Sequence, residues 1–594
     1  MALCGLDTPG IVSNSNPNFA NQLPAIASGA SLGFRTIAEA ENTIKPSIIN
    51  QTGKSNLMLN TKLQLTVGLA VLAAATVLAQ TQTNTPAGTT SPTAPAAQAA
   101  TATAAPVAAA PAATPATAFE QWEKAVKNPV GWFSWGGDLR VRNEYFNNAL
   151  SLTANPNQSP LFAPVHSQDY FRYRGRLWAS LFPTNNLTLN VGLAAEPREF
   201  MEPSTMDTYY GHAGVQWRYG IVDTLNVQWK NPLNLPAVVT VGRQNIFLGD
   251  GWLVGDGTPE DGSFTTFLDS ARITYTLKDQ HTTIDAIGII QCARPDAWLP
   301  TIGDSGTVAG DPEGLLLTDQ NETGCILWIA NKSLEAANLD AYFIYKNDTR
   351  LNDPPPASFG DNANIYTVGG RVSGLLKEHW KYSAEGAYQF GEKQDPELNQ
   401  GGNNPVLAPG AQTTGYRNLN AFGVQSKVTY LFKDQLKDQL SLSFEFLSGD
   451  DPNSKNDEMF DVLWGRWPQW SEMYNVYSYV QETRVGQTAN LLRIGPTWSL
   501  DPIKDMNFSL SYYALFADQD TPTRPLNQAF GMPATVTPFS NDGNYRGDYL
   551  QAVLKYRFTK NLTGHLWSEF LFPGDFYASR DMMTFLRAEL MFTF

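Results

Sequence analysis

In DYFRYRGRLWASLF at residues 169–182, arginine recurs at every second position, as Arg172, Arg174 and Arg176, alternating with Phe171, Tyr173, Leu177, Ala179 and Leu181. Each guanidinium is a permanent cation whose planar fork donates two parallel hydrogen bonds to a carboxylate, so a row of them suits the steering of carboxylate-bearing anions. The spacing of two also has a structural meaning. Successive side chains of a β-strand point to opposite faces, so the arginines share one surface and the apolar residues the other.

The same alternation runs from Gly136 to Phe594. It predicts strands near 136–147, 169–182, 187–197, 222–230, 237–245, 267–277, 281–291, 324–331, 338–347, 364–375, 380–391, 419–431, 439–448, 489–500, 506–517, 545–558, 562–572 and 582–594, eighteen in all. Short connections such as PTNN, LKDQ, LKEH and TKN alternate with long ones such as 292–323, 392–418 and 449–488. An even count of strands about ten residues long, joined by short periplasmic turns and long extracellular loops, predicts an all-β fold: a transmembrane antiparallel β-barrel. Aromatic residues at strand ends, among them Phe182, Tyr275, Trp380, Tyr430, Phe432, Phe558 and Phe592, match interfacial girdles.

Composition agrees: charged residues are only 16% and aromatics 12%. The mature part contains no run of the ~18 apolar residues that a membrane-spanning helix needs. A formal charge of −15 argues against nucleic acid as a partner. The expected surroundings are outer-membrane lipid in a Gram-negative envelope, with both chain termini periplasmic.

If the apolar face meets lipid, its alternates face the lumen. The inward cations are then Arg140, Arg142, Arg172, Arg174, Arg176, Arg198, Arg272, Lys346, Arg371, Lys381, Lys427, Arg493, Lys555, Arg557 and Arg587. The inward acids are Asp138, Glu144, Glu196, Asp285, Asp340, Glu385, Glu445, Glu569 and Glu589, leaving an excess of six positive charges. Rings of Arg and Lys in a pore favour anions. The alternative is that these charges pair with one another and stabilise the wall.

Upstream, MLNTKLQLTVGLAVLAAATVLAQ has the charged start, apolar core and small residue of a signal peptide at 58–79, with cleavage expected after Ala79. Residues 1–57 read as an extension from an overextended gene model. The Ala, Pro and Thr-rich stretch 80–118 reads as a disordered periplasmic tether, and 119–135 as a short amphipathic lead-in to the barrel at 136–594.

The pieces WGGDLRVRNEYFNN at 135–148, DYFRYRGRLWASLFPTNNLTL at 169–189, AAEPREF at 194–200, VGRQNIFLGDGWLVGDG at 241–257 and EFLSGDDPNSKNDEMFD at 445–461 resemble the bacterial alginate-export family. The resemblance spans nearly all of 135–594 and implies an 18-stranded barrel with an arginine-rich conduit for an anionic uronate polysaccharide. It implies that Arg140, Arg142, Arg172, Arg174, Arg176, Arg198 and Arg243 line or rim that conduit, although alternation in AVVTVGRQN permits Arg243 either face. With no CxxC, CxxCH, HExxH or Walker motif in the chain, no cofactor is expected.

An enzymatic reading finds little to use. GDSG at 303–306 looks like a serine-protease nucleophile motif, but a Gly-rich loop without partner His and Asp motifs reads as a turn, and no catalysis is expected. Acidic loops containing Asp250, Asp256, Asp450 and Asp451 could supply oxygen ligands to calcium, yet they lack the spacing of a calcium loop and read by default as solvated surface. Cys292 and Cys325 close and open neighbouring strands at the same end, which predicts a disulfide between them. The alternative is two unpaired thiols on different surfaces. The expected function is a channel for anionic small molecules or polysaccharide, with uronate oligosaccharides and alginate as candidates. A general porin of weak selectivity and a structural or adhesin barrel with a plugged pore are the rivals.

Overall fold

The computed structural model describes residues 118–148, 167–202, 215–216, 220–255, 267–293, 299, 320–349, 362–394, 416–451, 453–465, 469–473, 489–520, 540, 542–578 and 580–594. The 1–57 extension, the signal peptide at 58–79, the tether up to residue 117, the GDSG at 303–306 and Asp256 lie outside the described residues.

Helix α1 (Ala118–Lys127) precedes the strands. These are β1 (Phe133–Asn147), β2 (Ser167–Thr184), β3 (Leu187–Ala195, continued by Arg198–Glu202), β4 (Val215–Gln216, continued by Ile221–Lys230), β5 (Ala237–Gln244) and β6 (Leu268–Leu277). Next come β7 (Thr282–Gln291), β8 (Asn321–Asn331), β9 (Asn338–Thr349), β10 (Asn362–Leu376), β11 (Trp380–Gln394) and β12 (Arg417–Leu431). The last six are β13 (Gln439–Leu447), β14 (Leu491–Leu500), β15 (Met506–Phe516), β16 (Tyr545–Arg557), β17 (Leu562–Pro573) and β18 (Met583–Thr593).

The two pieces of β3 are one strand. Ala195 pairs with Gly175 and Arg198 with Arg172, so a single register on β2 runs through the Glu196–Pro197 break. Proline cannot donate to the ladder, but the Pro197 carbonyl still accepts from the amide of Tyr173.

Every consecutive pair is antiparallel, and β18 pairs with β1 from Thr593 opposite Asp138 to Thr584 opposite Asn147. The sheet therefore closes on itself, which leaves no strand edge unpaired and makes passage through hydrocarbon affordable for the backbone. The strands fall within three residues of the expected positions except β3, which runs on to Glu202, and β4, whose first piece begins at Val215. Outward positions form an apolar belt that includes Leu139 at 61% exposure, Leu177 at 53% and Leu442 at 55%. In water such a surface would drive aggregation; against acyl chains it is the required one. Trp229, Trp380, Phe432, Trp498, Phe558 and Phe592 ring the short-turn end and are exposed.

The inner face departs from simple alternation. On β7–β12 the inward residues Ile287, Ile289, Ile326, Trp328, Ile344, Ile365, Leu419 and Ala421 are apolar and buried. They pack in one cluster with Ile246, Leu248, Trp252, Leu253 and Val254 of the β5–β6 loop and with Phe460, Val462, Leu463 and Trp464 of the β13–β14 loop. Only a loop folded inside the barrel can reach inward-facing side chains, so both connections enter the lumen. Strands apolar on both faces carry no period-two signal, which is why this wall is illegible as a lumen surface.

The expected Cys292–Cys325 disulfide is corrected. Cys325 is a free, exposed thiol, and in the β7–β8 register it stands opposite Gly288, four residues short of Cys292. Four residues along a strand amount to about 13 Å, beyond the Cα separation that a disulfide tolerates. Cys325 shares the outward face of Leu327 and Ile329, whereas Cys292 is buried. A membrane-permeant maleimide should therefore alkylate Cys325 in the intact barrel, and a charged methanethiosulfonate should not. Equal labelling by both reagents would place the thiol in water.

Helix α1 docks at the short-turn rim through Glu123, which meets Lys127 at 2.7 Å and Lys560 at 2.5 Å and accepts from Asn561 at 2.9 Å. The hydrogen bonds from Lys127, Lys560 and Asn561 hold its carboxyl down at about 2, below the ordinary 4.5. A depressed carboxylate contributes fully above its unfolded value and loses that contribution as pH falls through the folded one. Docking should thus be intact above pH 4.5 and weaken between about 4.5 and 2. Amide exchange across 118–127, corrected for intrinsic rates, should rise over that window, and Glu123→Gln should show the higher rate already at pH 7.

Candidate functional site

Around the closure of the barrel, β18, β1, β2 and β3 present an ionic ladder to the interior. Alternation carries Asp138, Arg140, Arg142 and Glu144 inward from β1, Arg172, Arg174 and Arg176 from β2, Glu196 and Arg198 from β3, and Arg587 and Glu589 from β18. Glu196, placed by the strand break, receives Arg140 at 2.7 Å and Arg172 at 2.8 Å, with Arg198 at 3.6 Å. Glu144 meets Arg587 at 2.7 Å, Arg172 at 3.0 Å and Arg142 at 3.3 Å. Arg142 donates to Glu589 at 2.7 Å. Arg176 and Arg174 meet Asp138 at 2.5 and 3.4 Å. The side chains of Arg140 and Arg142 have no exposed surface, whereas those of Arg176 and Arg198 keep 20% and 22%. Each arginine of the ladder thus meets a carboxylate, seven guanidiniums sharing four acids, and its water-facing margin is Arg176 and Arg198.

The other expected cations divide into two groups. Arg272 pairs with Asp285 at 2.8 Å, Arg371 with Asp250 at 2.6 Å and Asp340 at 3.2 Å, Arg493 with Glu445 at 3.2 Å, and Arg557 with Asp505. Lys381, Lys427 and Lys555 differ. Each stands on the inward face of its strand, close to the short-turn end, is exposed, and has no ion pair among the described residues.

Arg243 is a correction. Its fork is closed on Asp269 at 2.8 and 2.9 Å, and Phe267, which packs with buried Ala194 and Ile221, lies 3.8 Å from the guanidinium. With 2% exposure it locks β5 to β6 and presents no charge to the lumen.

Two inward acids, Glu322 and Asp348, escape the sequence census because each lies just beyond the region of clear alternation. With Asp461 of the β13–β14 loop they surround Lys346 and Lys393, the Lys346–Asp348 distance being 3.2 Å and Lys393–Asp461 3.5 Å. The nitrogen Nε1 of Trp464 donates to Glu322 at 3.0 Å. Farther along the same loop, the Ser471 hydroxyl and the Met473 amide donate to Glu569 of β17 at 2.7 and 2.8 Å, and Glu472 meets Arg587 at 2.8 Å. Strands β8 and β17 are nine apart in a closed ring of eighteen, so they face each other across the barrel. The described pieces 453–465 and 469–473 of the β13–β14 loop are thus anchored on opposite walls of the lumen. Trp470 and Tyr513 hold Arg493 between their rings at 4.9 and 4.5 Å.

The β5–β6 loop braces it. Trp464 donates its amide to the Leu253 carbonyl at 3.0 Å, and Trp252 Nε1 reaches Glu445 at 3.2 Å. Gly249 and Gly251 turn this loop inward with φ of +60° and +76°, a region that costs glycine little. The pieces FLGDGWLVG and SGDDPNSKNDEMFD that carry the family resemblance are therefore the two loops inside the barrel.

Of the calcium candidates, Asp250 is engaged by Arg371, Asp450 by Arg417 at 2.8 Å, and Asp451 by the Asn453 amide at 2.8 Å. Among the described residues no cluster of three or more His, Cys, Asp or Glu is placed to hold a metal.

A closed eighteen-strand barrel with a lipid belt and a charged interior defines an outer-membrane β-barrel of the porin class. Residues 316–588 match the family described as Alginate export. No curated protein matches the chain. Among solved structures, OprD of Pseudomonas aeruginosa aligns over 77% of this chain and 95% of its own at 8% identity and a TM-score of 0.42. OpdK of Pseudomonas aeruginosa, crystallised with vanillate, aligns over 77% and 98% at 10% identity and 0.43. Acinetobacter baumannii OccAB4 aligns over 79% and 100%, at 10% identity and 0.43.

Removing Glu196 takes the close carboxylate from fully buried Arg140, and breaking a buried pair in this way costs about 3–5 kcal/mol. Glu196→Ala should lower the urea midpoint of the refolded barrel accordingly, whereas Lys427→Gln should leave it unchanged within about 0.5 kcal/mol. Intrinsic tryptophan fluorescence in lipid vesicles reads both.

Proposed function

We propose that this outer-membrane channel passes anionic solutes, with carboxylate-bearing saccharides as the cargo class. The observation that carries the reading is the imbalance of unengaged charge. All nine inward acids expected from sequence are hydrogen-bonded or ion-paired, as with Glu385 to Tyr342 at 3.0 Å and Glu589 to Arg142 at 2.7 Å. Lys381, Lys427 and Lys555 are exposed and have no ion pair among the described residues. An anion entering from the short-turn end meets these three cations first and then the exposed edges of Arg176 and Arg198.

In this reading the short-turn end is periplasmic and both ends of the barrel domain face that compartment. The match to alginate export supports an acidic polysaccharide or its oligomers as cargo. The loop across the lumen gives the plugged-barrel alternative a specific basis, and conductance separates the two.

A unit charge at about 4 Å in water is worth ~1 kcal/mol, which corresponds to roughly fivefold in partition. In planar bilayers under a potassium chloride gradient the open pore should prefer chloride. Replacing Lys381, Lys427 and Lys555 together with Gln should reduce that preference by about fivefold or more. A wild-type pore that prefers potassium would overturn the proposal.

A further inference from the structure

Helix α1 carries an apolar face that the protein leaves largely exposed, the Lys560 ammonium lying 5.9 Å from the Phe119 ring centre at its edge. Phe119 and Trp122, three residues apart, are 58% and 60% exposed, with their rings 5.6 Å apart. Val126, four residues farther along, continues the stripe, and Trp132 just beyond the helix is 60% exposed. At 100° per residue, Phe119, Trp122 and Val126 share one side, while Glu120, Gln121, Lys124 and Lys127 share the opposite one. Glu123 projects between the two faces and docks the helix edge on Lys560 and Asn561. The helix therefore presents one apolar and one polar surface on either side of its line of attachment.

Its place on the rim decides what the apolar surface meets. The Val126 carbonyl accepts from Trp135 Nε1 at 2.7 Å. Trp135 stands on the outward face of β1, with Leu139 and Val141, and packs edge-on against Phe594 at 5.2 Å. Phe594 covers the outward side of Gly137, where a side chain would collide with its ring at 2.9 Å. The Trp132 carbonyl accepts the amide of Phe182, another exposed residue of the short-turn girdle. Helix α1 thus lies outside the lumen, and its apolar stripe is continuous with the lipid belt through Trp132, Trp135, Phe594 and Phe592.

We infer that α1 is an interfacial helix that lies on the periplasmic leaflet of the outer membrane, with Phe119 and Trp122 inserted among phospholipid headgroups and upper acyl chains. Amphipathic helices with aromatic residues on one face and lysine on the other bind lipid surfaces in this orientation. Lys124 lies on the polar side of the helix in its last turn, and Lys127 beside it is held by Glu123 at 2.7 Å. The barrel rim supplies the attachment and the leaflet covers the face. This inference rests on the barrel being embedded in lipid and is independent of its ion preference.

The test uses the full chain in outer membranes, with the photoreactive residue p-benzoylphenylalanine introduced singly at Phe119, Trp122, Gln121 or the belt position Leu177. Heat-modifiable migration in gels confirms a folded barrel in each case. After irradiation, phospholipid adducts quantified by mass spectrometry should form at 119, 122 and 177, at least tenfold above those at 121. Adducts at 177 with none at 119 and 122, equal yields at 119, 121 and 122, or crosslinks from 119 and 122 to protein or glycan in place of lipid would each overturn the inference.

Discussion

The barrel closes where its charges are densest. The first and last strands, whose pairing converts a sheet into a barrel, are joined on the inside by Arg142 with Glu589 and by Glu144 with Arg587. These partners are separated by more than 440 residues. Backbone pairing alone allows neighbouring registers, and a slip of one residue would turn every side chain to the other face. Here such a slip would put arginines and glutamates into hydrocarbon and leucines into the lumen. The buried ion pairs consequently specify closure and register more than they add net stability, since desolvation offsets much of their attraction. The Glu196–Pro197 break extends the same network to β3, delivering one carboxylate to two arginines on different strands.

The rest of the lumen is organised by a second constraint, the need to cover an apolar inner wall. Strands β7–β12 expose isoleucine, tryptophan and alanine to the interior, and this surface is stable only because two loops fold over it. The loop after β13 then continues to the far side, where Glu472 joins Arg587, a member of the closure network. Loop and ladder therefore share a residue. Displacement of the loop would expose apolar wall on one side and leave Arg587 with one fewer carboxylate on the other, so the lumen contents and the closure region are mechanically coupled.

Strand number, strand positions, and the inward direction of Arg172, Arg174 and Arg176 were legible from the chain, because tilted membrane strands must alternate and their turns must be short on one side. The lipid belt and the aromatic rim were legible for the same reason. The chain's low charge and lack of a long apolar run narrowed the class before any strand was placed. Family pieces such as EPR and GDGWLVG were visible as a resemblance, although their spacing did not reveal what they do.

Tertiary structure alone decided the remainder. Whether an inward arginine faces water or a glutamate depends on register between strands distant in sequence, and that register separates Arg140, buried against Glu196, from Lys427, which has no ion pair among the described residues. It also puts Cys325 on lipid opposite Gly288, far from Cys292, and closes Arg243 on Asp269. The inward loops were invisible because their apolar residues, in irregular backbone, have no period, and the wall beneath them is apolar on both faces. Local sequence specifies which residues alternate; only the closed ring sets which strands are neighbours and which lie opposite, and that geometry carries the lumen chemistry.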